Sequence, residues 1–415
     1  MGSPALVVVG TGAPQIAHNQ EKDNYTMKKI VMLSLSLLLF VACQSGATVT
    51  STPAQPVTVT SSQPAAPAPS SPSAETPVTD ETGPHFLLST TDAVKLQRDG
   101  WSDYHPTEFG AVLAPADLLN VDNKVRVLCV GEELVVKTVV SGQNRVPCPY
   151  EAGLLTYRGA RFSTRRMGSA GVSDIPFILY PRSTLLLTAR PTIYWNDTGA
   201  GNYSVMLTQD GQDVWAKPKM ASDNMLPYPA DEAPLATGKN YRIVVTDDDS
   251  QISSHKNEPP GTGFALATKE EKAKIEADAA KITTLADLTD NERRFALGIY
   301  YIGIPEEFAT MKFSPIGEAW LAIEPLQTST PAPAVYLLYG DIMGRMNLPD
   351  LADKAYLTAK DTAANLGDLE SEATANARLW CSTADKQYYQ EAERLFKDLG
   401  DQQQLEALPK DATDC

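Results

Sequence analysis

Apolar residues along the chain follow successive patterns that predict different elements. Between positions 86 and 171, short apolar runs alternate with polar positions, as at Val125, Val127 and Cys129. A period of two is typical of a strand with one buried face, so this stretch predicts a small antiparallel β domain. From 175 to 266, β-branched and aromatic runs are separated by turn-prone groups, which favours a β-sandwich.

The pattern changes to a helical period after Thr268. Two threonines there are each followed three residues later by glutamate, an arrangement in which hydroxyl and carboxylate satisfy backbone amides at a helix start. These capping boxes are Thr268 with Glu271 and Thr289 with Glu292. The fold class predicted overall is multidomain, with an all-β N-terminal half followed by an all-α domain.

Two antiparallel helices are predicted at 334–345 and 350–366, with Gly340 and Ala352 at their close approach and Pro349 in the first turn of the second. The spacing of small and aromatic residues in this stretch resembles a tetratricopeptide repeat, and weaker copies lie at 297–323 and 379–399. The resemblance implies a helical-repeat domain over residues 268–415. A generic helical bundle is the alternative. The residues that carry the resemblance are Tyr336, Tyr339, Gly340, Ala352, Tyr356 and Ala359.

The front of the chain has the order of a secretory signal. From Met27 it reads two lysines, an apolar run of about twelve residues, then Ala42 and Cys43. A transmembrane helix needs about 20 residues. A small residue followed by cysteine resembles the lipobox of bacterial lipoproteins, which implies that acyl chains such as palmitate are attached to Cys43 and that residues 27–42 are removed. A plain secretory signal is the alternative. Residues 1–26 then precede the true start as an upstream extension.

Residues 43–85 are predicted to be a disordered tether. The stretch 44–84 holds eight prolines, many Ser and Thr, and almost no large apolar side chain. Such a composition cannot bury enough surface to offset the entropy of ordering.

The first β region, residues 86–172, is similar to the FecR-like extracytoplasmic β domain. The similarity rests on Trp101, Tyr104 and the stretches 110–113, 117–119 and 125–129. It implies a role in signal sensing. The alternative is a β module with no sensing role.

The second β region, residues 173–267, resembles a fibronectin type III or other immunoglobulin-like domain. Leu235, Gly238 and Tyr241 have the spacing of a tyrosine corner, in which the tyrosine hydroxyl bonds back to the backbone. The resemblance implies that Tyr241 has a structural role and that Trp195 is a core residue. An ordinary strand tyrosine is the alternative.

Four cysteines remain once Cys43 is set aside, and they fall into two local pairs. Cys129 and Cys148 lie in one β region, and Cys381 and Cys415 lie in the helical region. Four cysteines allow three pairings, and the local pairing is the one we predict.

The composition and net charge of the chain exclude one class of binding partner. Apolar content of 43% and charged content of 21% are those of a globular protein, and the net charge is −16. A strongly negative surface repels phosphate backbones, so nucleic acid is excluded as a partner.

Candidate chemistry is sparse in the sequence. His85, His105 and His255 are isolated from one another and are interpreted as surface residues. The acidic run 247–249 is either a solvated turn or a calcium site. No metal ligand set, cofactor motif or catalytic constellation is predicted, and the chain is not expected to be an enzyme.

The predicted function is that of a non-catalytic cell-envelope lipoprotein, anchored to a bacterial membrane at the cell surface or in the periplasm. It acts as a scaffold that recruits another envelope protein, on the concave face of its helical repeats. A glycan-binding or adhesive protein that uses exposed aromatic residues of the β modules is one alternative, and an extracytoplasmic sensor is another. The β modules are expected to stay folded without residues 268–415.

Overall fold

The computed structural model describes residues 84–88, 94–149, 154–155, 175–221, 224–257 and 262–415. All of these residues belong to one compact unit, 75–415. Strands occupy the part from 85 to 266 and helices the part from 269 to 414. The predicted order, strands and then helices, is confirmed. Cys43 and the predicted tether up to residue 83 lie outside the described residues. The predicted end of the tether at residue 85 is wrong, because His85 is a buried residue of the first strand.

The first strand-rich part forms one antiparallel sheet. Its strand order is β3-β2-β5-β1-β4, and β6 pairs with the other edge of β5. The strands are β1 (His85–Leu87), β2 (Val94–Gln97), β3 (His105–Thr107), β4 (Val112–Leu113), β5 (Leu118–Val130) and β6 (Leu134–Arg145).

Strand β5 is bent, and the bend closes the sheet around a core. Leu118 pairs with Arg145, and the register shifts between Val121 and Lys124. A straight strand from Leu118 to Cys129 would span about 36 Å. Cys148 lies only three residues beyond Arg145, yet its Cα is 5.1 Å from that of Cys129. The bend therefore brings the two ends of β5 close enough for the disulfide.

The second strand-rich part has two three-stranded antiparallel sheets, β11-β10-β13 and β12-β9-β7, and a parallel pair, β14-β8. Buried residues of both three-stranded sheets belong to one hydrophobic cluster, in which the Trp195 and Tyr203 rings are 5.5 Å apart. The strands are β7 (Ile178–Tyr180), β8 (Leu185–Leu186), β9 (Thr192–Trp195), β10 (Asn202–Gln209), β11 (Gln212–Ala221), β12 (Met225–Pro227), β13 (Tyr241–Asp247) and β14 (Ala265–Leu266).

The helical part agrees closely with the sequence pattern. Both predicted capping boxes are present, and Pro349 lies in the first turn of its helix. No helix of the described ranges is long and apolar enough to cross a bilayer. The helices are α1 (Lys269–Thr283), α2 (Asp290–Gly303), α3 (Ile316–Ile323), α4 (Leu326–Ser329), α5 (Pro333–Arg345), α6 (Pro349–Leu366), α7 (Leu369–Thr383), α8 (Lys386–Leu399) and α9 (Gln402–Ala407).

The larger hydrophobic core joins strands to helices. Phe86 and Phe109 of the first part pack edge-on against Phe295 of α2. Tyr180 stacks on Trp320 of α3, and the Tyr194 ring packs edge-on against the same indole. Both strand-rich parts therefore use the helices as one wall of their core.

A second core joins the first sheet to the last helices. Leu87, Val94 and Trp101 share a buried cluster with Leu395 and Phe396 of α8. These shared cores argue against the expectation that the β modules stay folded without residues 268–415, because removing the helices would expose core residues of both strand-rich parts.

Gly340 and Ala352 occupy the predicted helix pair, α5 and α6, and both are buried. A Cβ on Gly340 would overlap the Tyr356 ring. The Tyr356 hydroxyl donates a hydrogen bond of 2.8 Å to Asp341 Oδ1, which holds the ring in place.

Replacing Gly340 with alanine is expected to lower the free energy of unfolding by about 1–3 kcal/mol. The added methyl would overlap the Tyr356 ring, whose position is fixed by its hydrogen bond to Asp341. At a helix position with space for a methyl group, the same change would raise the free energy of unfolding by about 0.5–1 kcal/mol. Urea unfolding of the purified chain measures the difference. A stabilised Gly340→Ala variant would contradict the close approach.

Candidate functional site

Both predicted disulfides are present. Cys129 is bonded to Cys148, and Cys381 is bonded to Cys415. The first lies against the core of the bent sheet, and the second ties the chain terminus to α7. The local pairing chosen among the three possibilities is therefore the one observed.

Tyr241 adopts a corner arrangement at the start of β13. Its hydroxyl accepts a hydrogen bond of 2.9 Å from the Ala236 amide and faces the Ala236 carbonyl at 3.4 Å. Leu235 is buried beside it, and Gly238 has a φ of +70°, a left-handed conformation that favours glycine. Tyr241 therefore fixes the entry of the chain into β13.

Replacing Tyr241 with phenylalanine should lower the free energy of unfolding by about 1–3 kcal/mol, since the Ala236 amide loses its acceptor. Thermal and urea unfolding report the loss. The neighbouring change Lys239→Ala, at a surface position, is the control and is expected to have little effect. Unchanged stability of Tyr241→Phe would contradict the structural role.

Tryptophans of the strand-rich parts are buried. Trp101, Trp195 and Trp215 are each no more than 6% exposed. Trp101 donates to Asp401 Oδ2 at 3.2 Å, and Trp215 faces the Tyr228 hydroxyl at 3.3 Å. These indole rings are therefore not available to stack on a sugar, although that was the contact expected of the adhesive alternative.

His85 was predicted from the sequence to be a surface residue, and this prediction is wrong. It is fully buried, its Nδ1 accepts from the Val130 amide at 3.0 Å, and its Nε2 lies 3.2 Å from the Pro149 carbonyl. Burial lowers the pKa of His85 below its usual value. The neutral ring therefore links β1 to the end of β5 and to the segment after β6.

The acidic run 247–249 forms a turn held by its own hydrogen bonds. Asp247 Oδ1 accepts from the amides of Asp249 and Ser250, at 2.8 and 3.0 Å. Asp248 accepts from the Ser204 hydroxyl, and Asp249 accepts from the Gly201 amide. These hydrogen bonds give the three aspartates a structural role in holding the turn. In the described part of the chain, no group of three or more His, Cys, Asp or Glu side chains could hold a metal ion.

A cleft of about 670 Å³ lies on the outer face of the sheet β11-β10-β13. Alternation along the strands creates it, since Val205 and Leu207 of β10 point into the core while Met206 and Thr208 line the opposite face. Met206 pairs with Val244 of β13 to form an apolar floor. We call this surface the sheet cleft; it is lined by Met206, Thr208, Asp210, Gly211, Asn240, Tyr241, Arg242, Val244, Thr246, Ser253, His255, Gly263 and Phe313.

The walls of the sheet cleft are polar and mixed in charge. Arg242 Nη1 lies 3.1 Å from His255 Nδ1, and its Nη2 lies 3.4 Å from the Thr262 hydroxyl. Asp210 also lines the cleft, and its Oδ2 lies 3.9 Å from Lys239 Nζ. Phe313, from the segment before α3, is a further apolar residue of the lining. An apolar floor with polar groups at fixed places is typical of a binding surface.

A partly buried ionic junction joins the first sheet to α7. The Arg98 guanidinium donates to both oxygens of Glu370 at 2.8 Å and to Asp117 Oδ2 at 2.7 Å. Asp368 and Asp401, which cap α7 and α9, add negative charge nearby. Burial raises the pKa of Glu370 to about 7 and also raises the pKa of Asp117 and Asp368, although Arg98 opposes the shift. The junction holds the sheet against the helices.

Sequence reasoning did not identify the sheet cleft or the ionic junction. One signal for the cleft was present, because Val205, Met206 and Leu207 are three consecutive apolar residues, which places an apolar side chain on each face of β10. Arg98 and Glu370 lie 272 positions apart, and no local pattern relates them. Comparison with known proteins adds no assignment, since the chain matches no family model and no curated sequence.

Proposed function

We propose that this chain is a non-catalytic envelope lipoprotein that recruits another envelope protein, and that the sheet cleft is the contact site. The observation that carries the proposal is the apolar floor of Met206 and Val244 on the face of the sheet that points away from the core. An apolar surface with a polar rim is the usual composition of a protein-binding patch.

The sheet cleft replaces the helical surface as the proposed contact site. The helical faces that carry Phe295, Trp320 and Phe396 are packed against the chain's own strands. A partner segment would have to displace those strands to bind there.

The finer fold assignments are part of the same proposal. The Tyr241 corner and the two facing three-stranded sheets support an immunoglobulin-like sandwich in residues 173–267. The bent sheet is proposed to be a FecR-like domain. The buried Gly340 and Ala352 in consecutive helices support a tetratricopeptide-like arrangement.

The cleft proposal is tested with the full chain expressed in its own envelope. Met206→Lys places a charge on the cleft floor, while Val214→Lys places the same charge at an exposed position of β11 outside the cleft. After detergent solubilisation, a stoichiometric protein partner should co-purify with wild type and Val214→Lys but not with Met206→Lys. Thermal unfolding verifies that Met206→Lys is folded.

Three outcomes would overturn the cleft proposal. Retention of the partner by folded Met206→Lys would place the contact elsewhere. Co-purification of cell-wall glycan in place of a protein would favour the adhesive alternative. Recovery of the wild-type chain with no stoichiometric protein would argue against recruitment itself.

The lipid anchor is a separate part of the proposal. Cys43→Ser should leave the chain unprocessed or released from the membrane fraction, because no thiol remains to be acylated. Fractionation, with intact-mass analysis of the wild-type chain, gives the result. A mature wild-type N-terminus at any residue other than Cys43 would refute the anchor.

A further inference from the structure

Strand β6 has one edge that no other described segment pairs with. All of its pairing residues bond to β5, from Leu134 opposite Val130 to Arg145 opposite Leu118. The strand is twelve residues long and has no proline. A long edge strand presents unpaired backbone groups, which are a template for another strand.

The backbone groups that face outward can be assigned from the neighbouring strands. The backbone carbonyl of Arg126 in β5 accepts a hydrogen bond from the Leu88 amide, and the Val130 amide donates one to His85 Nδ1. In this half of β5, the backbone N–H and C=O groups of even-numbered residues therefore point toward β1, and those of odd-numbered residues point toward β6. Val127 pairs with Lys137, so the backbone groups of odd-numbered residues in β6 form hydrogen bonds with β5. The backbone groups of even-numbered residues in β6 point to the free edge.

The usable part of the edge is short and well defined. The Val140 and Gly142 carbonyls both accept from the Asn144 side-chain amide, at 2.8 and 3.1 Å. Leu134, Val136 and Thr138 are left with outward backbone groups. These three residues form what we call the β6 edge.

The side chains around the β6 edge are self-complementary in charge. Glu133 is exposed in the turn directly before the strand, and Lys137 is exposed four residues later, with its Nζ donating a hydrogen bond to the Pro147 carbonyl of its own chain. Val135 lies between them and is 41% exposed. Two such strands placed antiparallel would set each glutamate near the lysine of the other copy, with the two valines between them.

We propose that the β6 edge pairs antiparallel with the β6 edge of a second copy of this chain, centred on Val136. In this register Val136 faces its own counterpart and Leu134 faces Thr138, so all the outward backbone groups are paired. Glu133 then lies diagonal to Lys137 of the second copy, within reach of long side chains. The interface is isologous, as in most homodimers, and joins two six-stranded sheets.

Charge reversal tests the pairing and the register. Glu133→Lys and Lys137→Glu each turn both cross-strand pairs into like-charge pairs. Two differently tagged full-length copies are co-expressed, solubilised in detergent, and captured through one tag. Each single variant paired with itself should give roughly tenfold less co-captured copy than wild type. Glu133→Lys co-expressed with Lys137→Glu should restore capture, since each opposed pair then has opposite charges.

A proline variant tests the backbone contact. Thr138→Pro removes an outward amide and leaves the bonds to β5 intact, so it should abolish co-capture in a folded chain. Circular dichroism verifies the fold, and Leu357→Lys, at an exposed position of α6, is the control that should still dimerise.

The proposal fails if wild-type copies do not co-capture each other, or if the mixed charge variants do not restore capture. It also fails if Thr138→Pro releases a different protein while self-capture is unchanged. None of these results depends on the sheet cleft, because Met206→Lys should leave self-capture at the wild-type level.

Discussion

Replacing Asp341 with alanine is expected to lower the free energy of unfolding by about 3–5 kcal/mol, because it breaks a buried ion pair from one side. Arg378 donates to Asp341 through Nε at 2.6 Å and Nη2 at 2.8 Å, and both side chains are at least nine-tenths buried. Tyr356 donates to the same carboxylate. The substitution therefore disturbs α5, α6 and α7 together and leaves the guanidinium buried without its carboxylate.

The matched control for Asp341 is an exposed ion pair on a neighbouring helix. Glu391 and Arg394 of α8 are 2.6 Å apart, but their side chains are 38% and 54% exposed. Glu391→Ala should lower the free energy of unfolding by at most about 1 kcal/mol, since solvent screens the ion pair. Urea unfolding of both variants measures the contrast. Equal losses would show that burial does not set the strength of the Asp341 contact.

Removing residues 268–415 is expected to unfold the strand-rich part. Phe86 and Phe109 would lose Phe295, and Trp101 would lose its bond to Asp401. Each strand-rich part would then expose a wall of its core to water, and folded proteins have only a small margin of stability with which to offset such a loss.

Circular dichroism and limited proteolysis of the truncated chain provide the measurement. The control is removal of residues 44–74, which belong to the tether predicted from the sequence and should leave unfolding unchanged. A truncated chain that unfolds cooperatively at the wild-type temperature would show that the strands fold independently of the helices.

Features that depend on nearby residues were predicted well from the sequence. The capping boxes at Thr268 and Thr289 need only a hydroxyl and a carboxylate three residues apart. The Tyr241 corner needs Leu235 and Gly238 at short offsets, and the helices that carry Gly340 and Ala352 follow from periodicity over about thirty residues. The bond from Cys129 to Cys148 was one of three pairings, chosen because the cysteines lie in one region.

Features that depend on distant residues were missed. The isolated His85 gave no sign of burial, because its partners at Val130 and Pro149 are brought to it by the bend of β5. The junction of Arg98 with Glu370 requires the first sheet and α7 to pack together. Neither contact has a periodic or spacing signature in the chain.

The sequence by itself determined the order of strands and helices and the local caps and corners, because these follow from hydrogen-bonding groups and apolar periods within a few turns of chain. It left three pairings of the four cysteines open, and the structure shows the local one. Only the tertiary structure decided that strands and helices share two cores and that an apolar cleft lies on the outer face of one sheet. The physical reason is that shared burial depends on which faces meet, and a chain's periodicity shows that a face is apolar without showing what covers it.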